Sequence, residues 1–248
     1  MKTVSSLLFI TMASISIRAG EISPDQVEWI EGKFKRNGEK AMEALRNLPL
    51  NTDSEPDLGT GFKPLCNGKD LSGWKVLGGA HSFEVAEGMI VGKCVPGQPN
   101  AFLSTEKNYR NFILTLEMKW EVESNTGIMV RAQTRKKRDE TVVYGTQVEM
   151  EGPSQSRGWS GGIYGEKAGG WKYPLVLEAH KAIRNAVKAD DWNRVTVMVQ
   201  GDTYKTWING VAGANYTTNE YPEGFIGLQI HSGKSGTVLF RGIKIKEL

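Results

Sequence analysis

Two cysteines, three histidines and a net charge of only +3 in 248 residues exclude several ways for this chain to work. No His or Cys cluster has the short spacing of a zinc site. A nucleic-acid binder carries a concentrated basic stripe. Here the densest run, Arg135-Lys136-Lys137-Arg138, is followed at once by Asp139-Glu140 and reads as a solvated hairpin tip. No serine stands in a nucleophile-elbow context, so a Ser-His-Asp arrangement is not indicated. The glycine-rich stretch 158–170 lacks the Lys-Ser/Thr ending of a phosphate loop. Internal repeats and low-complexity segments are absent from the sequence, and no apolar run approaches the roughly 20 residues that span a bilayer.

The first twenty residues have the pattern of an export signal. Lys2 supplies the positive start, residues 7–17 form a short apolar stretch, and Arg18-Ala19-Gly20 offers small residues for cleavage. The expectation is a periplasmic or secreted protein, mature from Gly20 or Glu21, with no transmembrane segment after signal removal. In an oxidising compartment Cys66 and Cys94 could close a loop of about 28 residues, worth about 3 kcal/mol if unstrained; two buried free thiols are the alternative.

Residues 21–60 differ in pattern from the rest of the chain. Ser23-Pro24-Asp25 is a helix start. Val27, Ile30 and Phe34 recur at helical spacing, as do Ala41, Ala44, Leu45 and Leu48, with Gly32 and Asn37-Gly38 as points where two short helices separate. This segment reads as a helical extension that packs on the main domain or on a partner, and 51–61 as a polar linker.

From residue 62 onward the pattern is β, with candidate strands at 62–66, 82–85, 89–92, 101–104, 112–122, 127–133, 141–150, 194–200, 203–208, 224–231 and 237–246. Without crossover helices a parallel sheet is excluded, which leaves an antiparallel sandwich or barrel. Leu114, Leu116, Met118 and Trp120 share one strand face; so do Ile128, Val130 and Ala132, then Val195, Val197 and Val199, then Ile226, Leu228 and Ile230. These faces predict the core between two sheets.

The segment YGTQVEMEGPSQSRGWSGGIYGEKAGGW, 144–171, carries the chemistry. Val148 and Met150 take one face of its strand; Gln147, Glu149 and Glu151 take the other. Arg131, Gln229 and His231 fall on the polar faces of their own strands. If those strands are neighbours, a cation, a carboxylate, two amides and an imidazole converge, with Trp159, Tyr164, Trp171 and Tyr173 as an aromatic rim. Amides and carboxylates bind hydroxyls, and rings cover the apolar face of a pyranose, so a carbohydrate is the expected ligand. Glu149 is the best acid or base candidate, Arg131 a stabiliser of a developing enolate oxygen, and His231 a proton carrier. A plain Arg131–Glu149 salt bridge and a solvent-facing His231 are the structural alternatives. Trp74, Trp192 and Trp207 read as core or edge anchors.

The blocks GFKPLCNGKDLSGWKV (61–76), NTGIMVRAQ (125–133), YGTQVEMEG (144–152), GGIYGE (161–166), DWNRVTVMVQGDTYKTWINGV (191–211) and GFIGLQIHSG through FRGIKIKEL resemble, in order, the family known as the 3-keto-disaccharide hydrolase domain. The resemblance covers 61–248, and Cys66 stands where the family usually has Phe. It implies a concanavalin A-like jelly-roll sandwich acting on sugars oxidised to a ketone at C3. It also implies Glu149 or His231 as base, Arg131 as enolate or substrate stabiliser, Gln147 and Gln229 as hydroxyl ligands, and Tyr164 and Glu166 as pocket wall. No cofactor is evident; carboxylates and histidine are available to a divalent metal, but no metal-ligand spacing occurs. A non-catalytic lectin-like module and a docking domain using residues 24–48 are the rival expectations.

Overall fold

The computed structural model describes residues 20–34 and 38–248. The export pattern over residues 1–19 lies outside these described residues. Within them the chain forms fifteen strands in two antiparallel sheets stacked as a β-sandwich.

Numbered along the chain, the front sheet runs β10 (Gly170–Tyr173), β9 (Ile163–Glu166), β8 (Glu140–Met150), β7 (Thr126–Lys137), β14 (Phe225–Ile230), β5 (Ala101–Thr105) and β2 (Trp74–Gly78). The back sheet runs β13 (Val211–Thr217), β12 (Thr203–Ile208), β11 (Asn193–Gln200), β6 (Phe112–Val122), β15 (Thr237–Glu247), β4 (Met89–Lys93) and β3 (Ser82–Ala86), with β1 (Lys63–Pro64) beside β15. Period-two alternation sets which residues face inward. Leu114, Leu116, Met118, Val195, Val197 and Val199 of the back sheet meet Ile128, Val130, Val148, Met150, Ile226, Leu228 and Ile230 of the front sheet in one continuous core. Trp74 and Trp207 are buried, whereas Trp192 lies under the Arg241 guanidinium at 3.8 Å.

Alternation fails at Arg131 of β7. Arg131 sits in a bulge of β7 with φ +50°, and the β7–β8 register shifts between Met129 and Gln133. The extra residue rotates the strand. Ala132, expected inside with Ile128 and Val130, instead joins Phe102, Met129, Val143 and Phe225 in a separate apolar cluster. Arg131 turns away from the polar front face and is buried. Its guanidinium donates to the carbonyls of Arg110, Gly201 and Tyr221 at 2.6, 2.8 and 3.2 Å and to Asn111 Oδ1 at 3.0 Å. It bolts β7 to the β11–β12 turn, a structural use of five donors in a fixed fork.

The N-terminal extension forms α1 (Val27–Lys33) and α2 (Gly38–Arg46), and its Ile30 and Leu45 are part of the main core. Residues 49–55 then lie along the back sheet. Asn51 donates to the Thr206 carbonyl, Trp207 Nε1 to the Asp53 carbonyl, and Glu55 accepts from Arg194 and Thr196. Both cysteines are free thiols, so the loop between them is not cross-linked.

Candidate functional site

Side chains on paired positions of neighbouring strands share a face. Tyr164 of β9 pairs with Gln147 of β8, Gln147 with Met129 of β7, and Met129 with Gly227 of β14. One step along, Glu149 pairs with Gly127, and Gln229 with Phe102 of β5. Gln147, Glu149, Tyr164 and Gln229 therefore stand together on the outer face of the front sheet. They line a hollow of about 360 Å³, together with Glu166, Trp171 and His231. That volume falls within the roughly 300–1,000 Å³ of small-molecule sites.

Glycine makes room for the floor of this hollow. A Cβ at Gly127 would lie 2.5 Å from Gln147 Nε2 and 2.7 Å from its Cγ. Because β7 offers no side chain there, the Gln147 amide lies flat across the ladder. It donates to Glu149 Oε2 at 2.8 Å and to Gln229 Oε1 at 3.4 Å. Asn125, just before β7, donates to the other carboxylate oxygen, Glu149 Oε1, at 2.5 Å. Gln147 Oε1 and Gln229 Nε2 are buried and have no partner among the described residues.

Glu149 is buried, and desolvation pushes its carboxyl from 4.5 up to about 7. Hydrogen bonds from Asn125 and Gln147 and the charge of Arg157 pull the other way, while nearby Glu151 adds to the rise. Glu166 is also raised by burial; Lys167, His231 and a hydrogen bond from Asn100 oppose this. Asn100 ties this side together by donating to Glu166 Oε1 at 3.4 Å and accepting from the Ser232 backbone at 2.9 Å. His231 follows β14, and its Nδ1 lies 2.7 Å from the Ser232 carbonyl.

Of the four expected rim aromatics, two line the hollow. Trp171 of β10 and Tyr164 meet edge-on with ring centroids 5.4 Å apart. Trp159 is instead fully buried behind Trp171, at 4.7 Å and 84°, and its indole N–H is bonded to Gln26. Tyr173 is buried as well, its hydroxyl donating to the Pro49 carbonyl. The causes differ: Trp159, in the loop after β8, is covered by Gln26 and Phe34 of the extension, whereas the β9–β10 register shifts between Trp171 and Tyr173, which turns Tyr173 into the main core.

The expected cation is also different. Arg131 is not at the hollow; Arg157 is. Arg157 comes from the loop after β8. Its guanidinium pairs with Glu151 and lies over the Trp159 and Trp171 rings at 4.9 and 5.3 Å. Glu151 Oε2 in turn accepts the Trp159 backbone N–H at 3.0 Å. Arg157, Asn125 and Asn100 were missed because loops carry no periodicity. The available signals were an arginine between a strand-end glutamate and a tryptophan, and Asn-Thr-Gly at a strand start. Among the described residues no group of three or more His, Cys, Asp or Glu is placed to hold a metal ion.

A family model for the 3-keto-alpha-glucoside-1,2-lyase-like domain matches residues 61–246. The chain belongs to this family. No curated protein matches it. Solved structures share the sandwich fold. A "putative glycosyl hydrolase" from Parabacteroides distasonis superposes with a TM-score of 0.51 at 18% identity, covering 79% of this chain and 100% of that one. Another structure so described from the same organism gives 0.51 at 20% identity, over 81% and 93%. A protein of unknown function with a galectin-like fold from Bacillus subtilis gives 0.50 at 10% identity, over 79% and 98%. At these identities the likeness is one of fold. The matched stretch contains every strand of the front sheet, and so the whole floor of the hollow.

Proposed function

We propose that the chain cleaves 3-keto-glycosides, with Glu149 as the base that removes the C2 proton. A ketone at C3 acidifies that proton. The C–H electron pair moves into the C2–C3 bond, and the ketone oxygen becomes an enolate. When the enolate collapses, C3=O reforms, C1=C2 forms, and the C1–O bond breaks. The departing oxygen takes a proton. The first product is a 2-hydroxy-3-keto-glycal, and addition of water across C1=C2 completes a net hydrolysis. Ordinary glycosidases need two flanking carboxylates; this route needs one base, an enolate stabiliser and an acid.

The observation that carries this reading is the buried Glu149, raised to about 7 and oriented by Asn125 and Gln147 where it lines the hollow. A base works best with a pKa near the operating pH. Arg157 takes the stabilising role expected of Arg131. His231, on the far side, is the proton donor to the leaving oxygen. Gln147 and Gln229 bind sugar hydroxyls, Trp171 and Tyr164 cover a ring face, and Glu166 with Asn100 closes the wall.

The test is incubation of 3-keto-glucosides in D₂O with the wild type and Glu149→Gln. The reading expects release of the C1 group, deuterium at C2 of recovered substrate or hydrated product, and loss of both in the variant. Binding of unoxidised glycans with no product from 3-keto-glucosides would replace it with a lectin-like role. The export pattern of residues 1–20 supports a periplasmic or secreted setting, which cell fractionation would check.

A further inference from the structure

The extension contributes a buried polar contact that runs into the wall of the hollow. Gln26 lies at the end of a single 3₁₀ turn before α1 and is completely buried. Its amide has two jobs on one loop. Oε1 accepts the Trp159 indole N–H at 2.6 Å, and Nε2 donates to the Arg157 carbonyl at 3.2 Å. Nε2 also donates to Asp25 at 2.9 Å, which fixes the amide's orientation. Phe34, at the end of α1, packs its ring against Trp159 at 6.3 Å. Trp159 is wedged under Trp171, and Arg157 lies over both rings.

We propose that Gln26 is a positioning residue of the site, setting Arg157 and the Trp159–Trp171 wall from behind. This rests on the proposed roles of Glu149 and Arg157. The extension lies outside the stretch matched by the family model, so this support comes from this chain's own residues.

Anchoring of the extension is strong enough for such a role. Residues 21–23 run beside 176–178, with the Ser23 N–H donating to the Val176 carbonyl and the Glu178 N–H to the Glu21 carbonyl, at 2.9 and 2.8 Å. Arg184 is buried and clamps the next residues. It donates to the Leu175 and Leu177 carbonyls at 2.9 Å each, to Ser23 Oγ at 2.8 Å and to Asp25 at 3.1 Å. Gln26 is thus held on one side by a cluster of charged hydrogen bonds and presents its amide to the loop on the other. A positioned group of this kind acts on rate through small displacements, since a shift of about 1 Å in a site can cost about a hundredfold.

Gln26→Met in the full chain keeps the volume and removes both bonds to the loop. Expected are a drop of about tenfold in kcat/KM on a 3-keto-glucoside and a shift of the acid limb of its pH profile to higher pH, because the Arg157 charge is held less closely to Glu149. The Glu149 carboxyl titration, followed by ¹³C NMR in the substrate-free protein, moves the same way. Ile30→Val on α1 trims the core of the extension without touching the loop and leaves both pH readouts at their wild-type values. Trp159→Phe, which removes the indole N–H and leaves a smaller aromatic ring under Trp171, decides the matter if Gln26→Met does not fold: it also moves the Glu149 titration upward. An unchanged Glu149 titration in the folded variants overturns the proposal. If the wild type cleaves no 3-keto-glucoside, the proposed function falls, while the NMR titration still decides the role of Gln26.

Discussion

Replacing Glu149 by Gln should make the protein more stable at alkaline pH and less stable in acid. In the folded state burial holds this carboxyl at about 7 against its ordinary 4.5. The folded protein therefore keeps a proton that the unfolded chain has released, and between those two values stability falls as pH rises. At about 1.36 kcal/mol per unit of separation the loss reaches about 3 kcal/mol above pH 7 and is absent below pH 4.5. Gln carries no charge and escapes this penalty. It also offers one acceptor oxygen where Glu offers two, so one of the bonds from Asn125 and Gln147 is lost, at about 1 kcal/mol. The variant should be less stable than wild type by about 1 kcal/mol at pH 4 and more stable by about 2 kcal/mol at pH 8.5. For a chain of this size that is a rise of about 4 to 8 °C in melting temperature at the alkaline end. Denaturant titrations of both proteins across this pH range measure the crossover. A difference between them that stays constant from pH 4 to 8.5 would refute a buried, raised Glu149 and remove the base from the proposed mechanism.

Gly127→Ala should cut kcat/KM at least tenfold, because its Cβ would occupy the space of the Gln147 amide; calorimetric binding of a substrate analogue checks whether the floor is lost. Trp171→Ala should raise KM by about tenfold with a smaller effect on kcat, since the ring's expected contribution is contact with substrate, worth about 0.5–1.5 kcal/mol; steady-state kinetics separates the two. Arg131→Met should destabilise the fold by about 3 kcal/mol by orphaning buried carbonyls, while the pH dependence of turnover on any surviving folded enzyme stays as in the wild type. A moved acid limb in that variant would return Arg131 to the site.

Much of the sandwich can be read in the sequence because long strands with one buried face repeat a strict alternation. β6, β11 and β14 show it, and their apolar positions are the core. β2, β10 and β13 escaped because edge strands expose part of both faces, and a four-residue run such as Gly170–Tyr173, with only its last residue buried, is too short to show alternation. Ala132 and Arg131 were assigned to the wrong faces for a local reason. A residue held at φ +50° inverts the pleat from that point on, and arginine is a residue type that gives no warning of it. The hollow was half legible. Gln147, Glu149, Tyr164 and Gln229 lie on strands, so their shared face follows from period and pairing. Arg157 and Asn125 arrive from loops, and the burial of Trp159 depends on an extension more than a hundred residues away in sequence.

The stability argument also bears on the choice between a binding face and an enzyme. Glycan hydroxyls are bound equally well by amides, and the floor already has Gln147, Gln229 and Asn125 for that purpose. In a lectin, a carboxylate at the centre of such a face gains most when it is solvated and ionised at neutral pH. Here it is buried beside a second acid, Glu151, whose charge raises it further. A glutamine at 149 would bind hydroxyls, relieve that strain and stabilise the fold at neutral pH. What it could not do is accept a proton from carbon. Sites whose groups work against folding stability are where chemistry is expected; Glu149, raised to about 7, fits that description, with Glu166 beside it raised in the same direction. The two readings separate in one experiment: under a lectin role Glu149→Gln binds sugar at least as well as wild type and neither protein exchanges the C2 proton of a 3-keto-glucoside, whereas under the enzymatic role the wild type removes that proton and the variant holds substrate and leaves it in place.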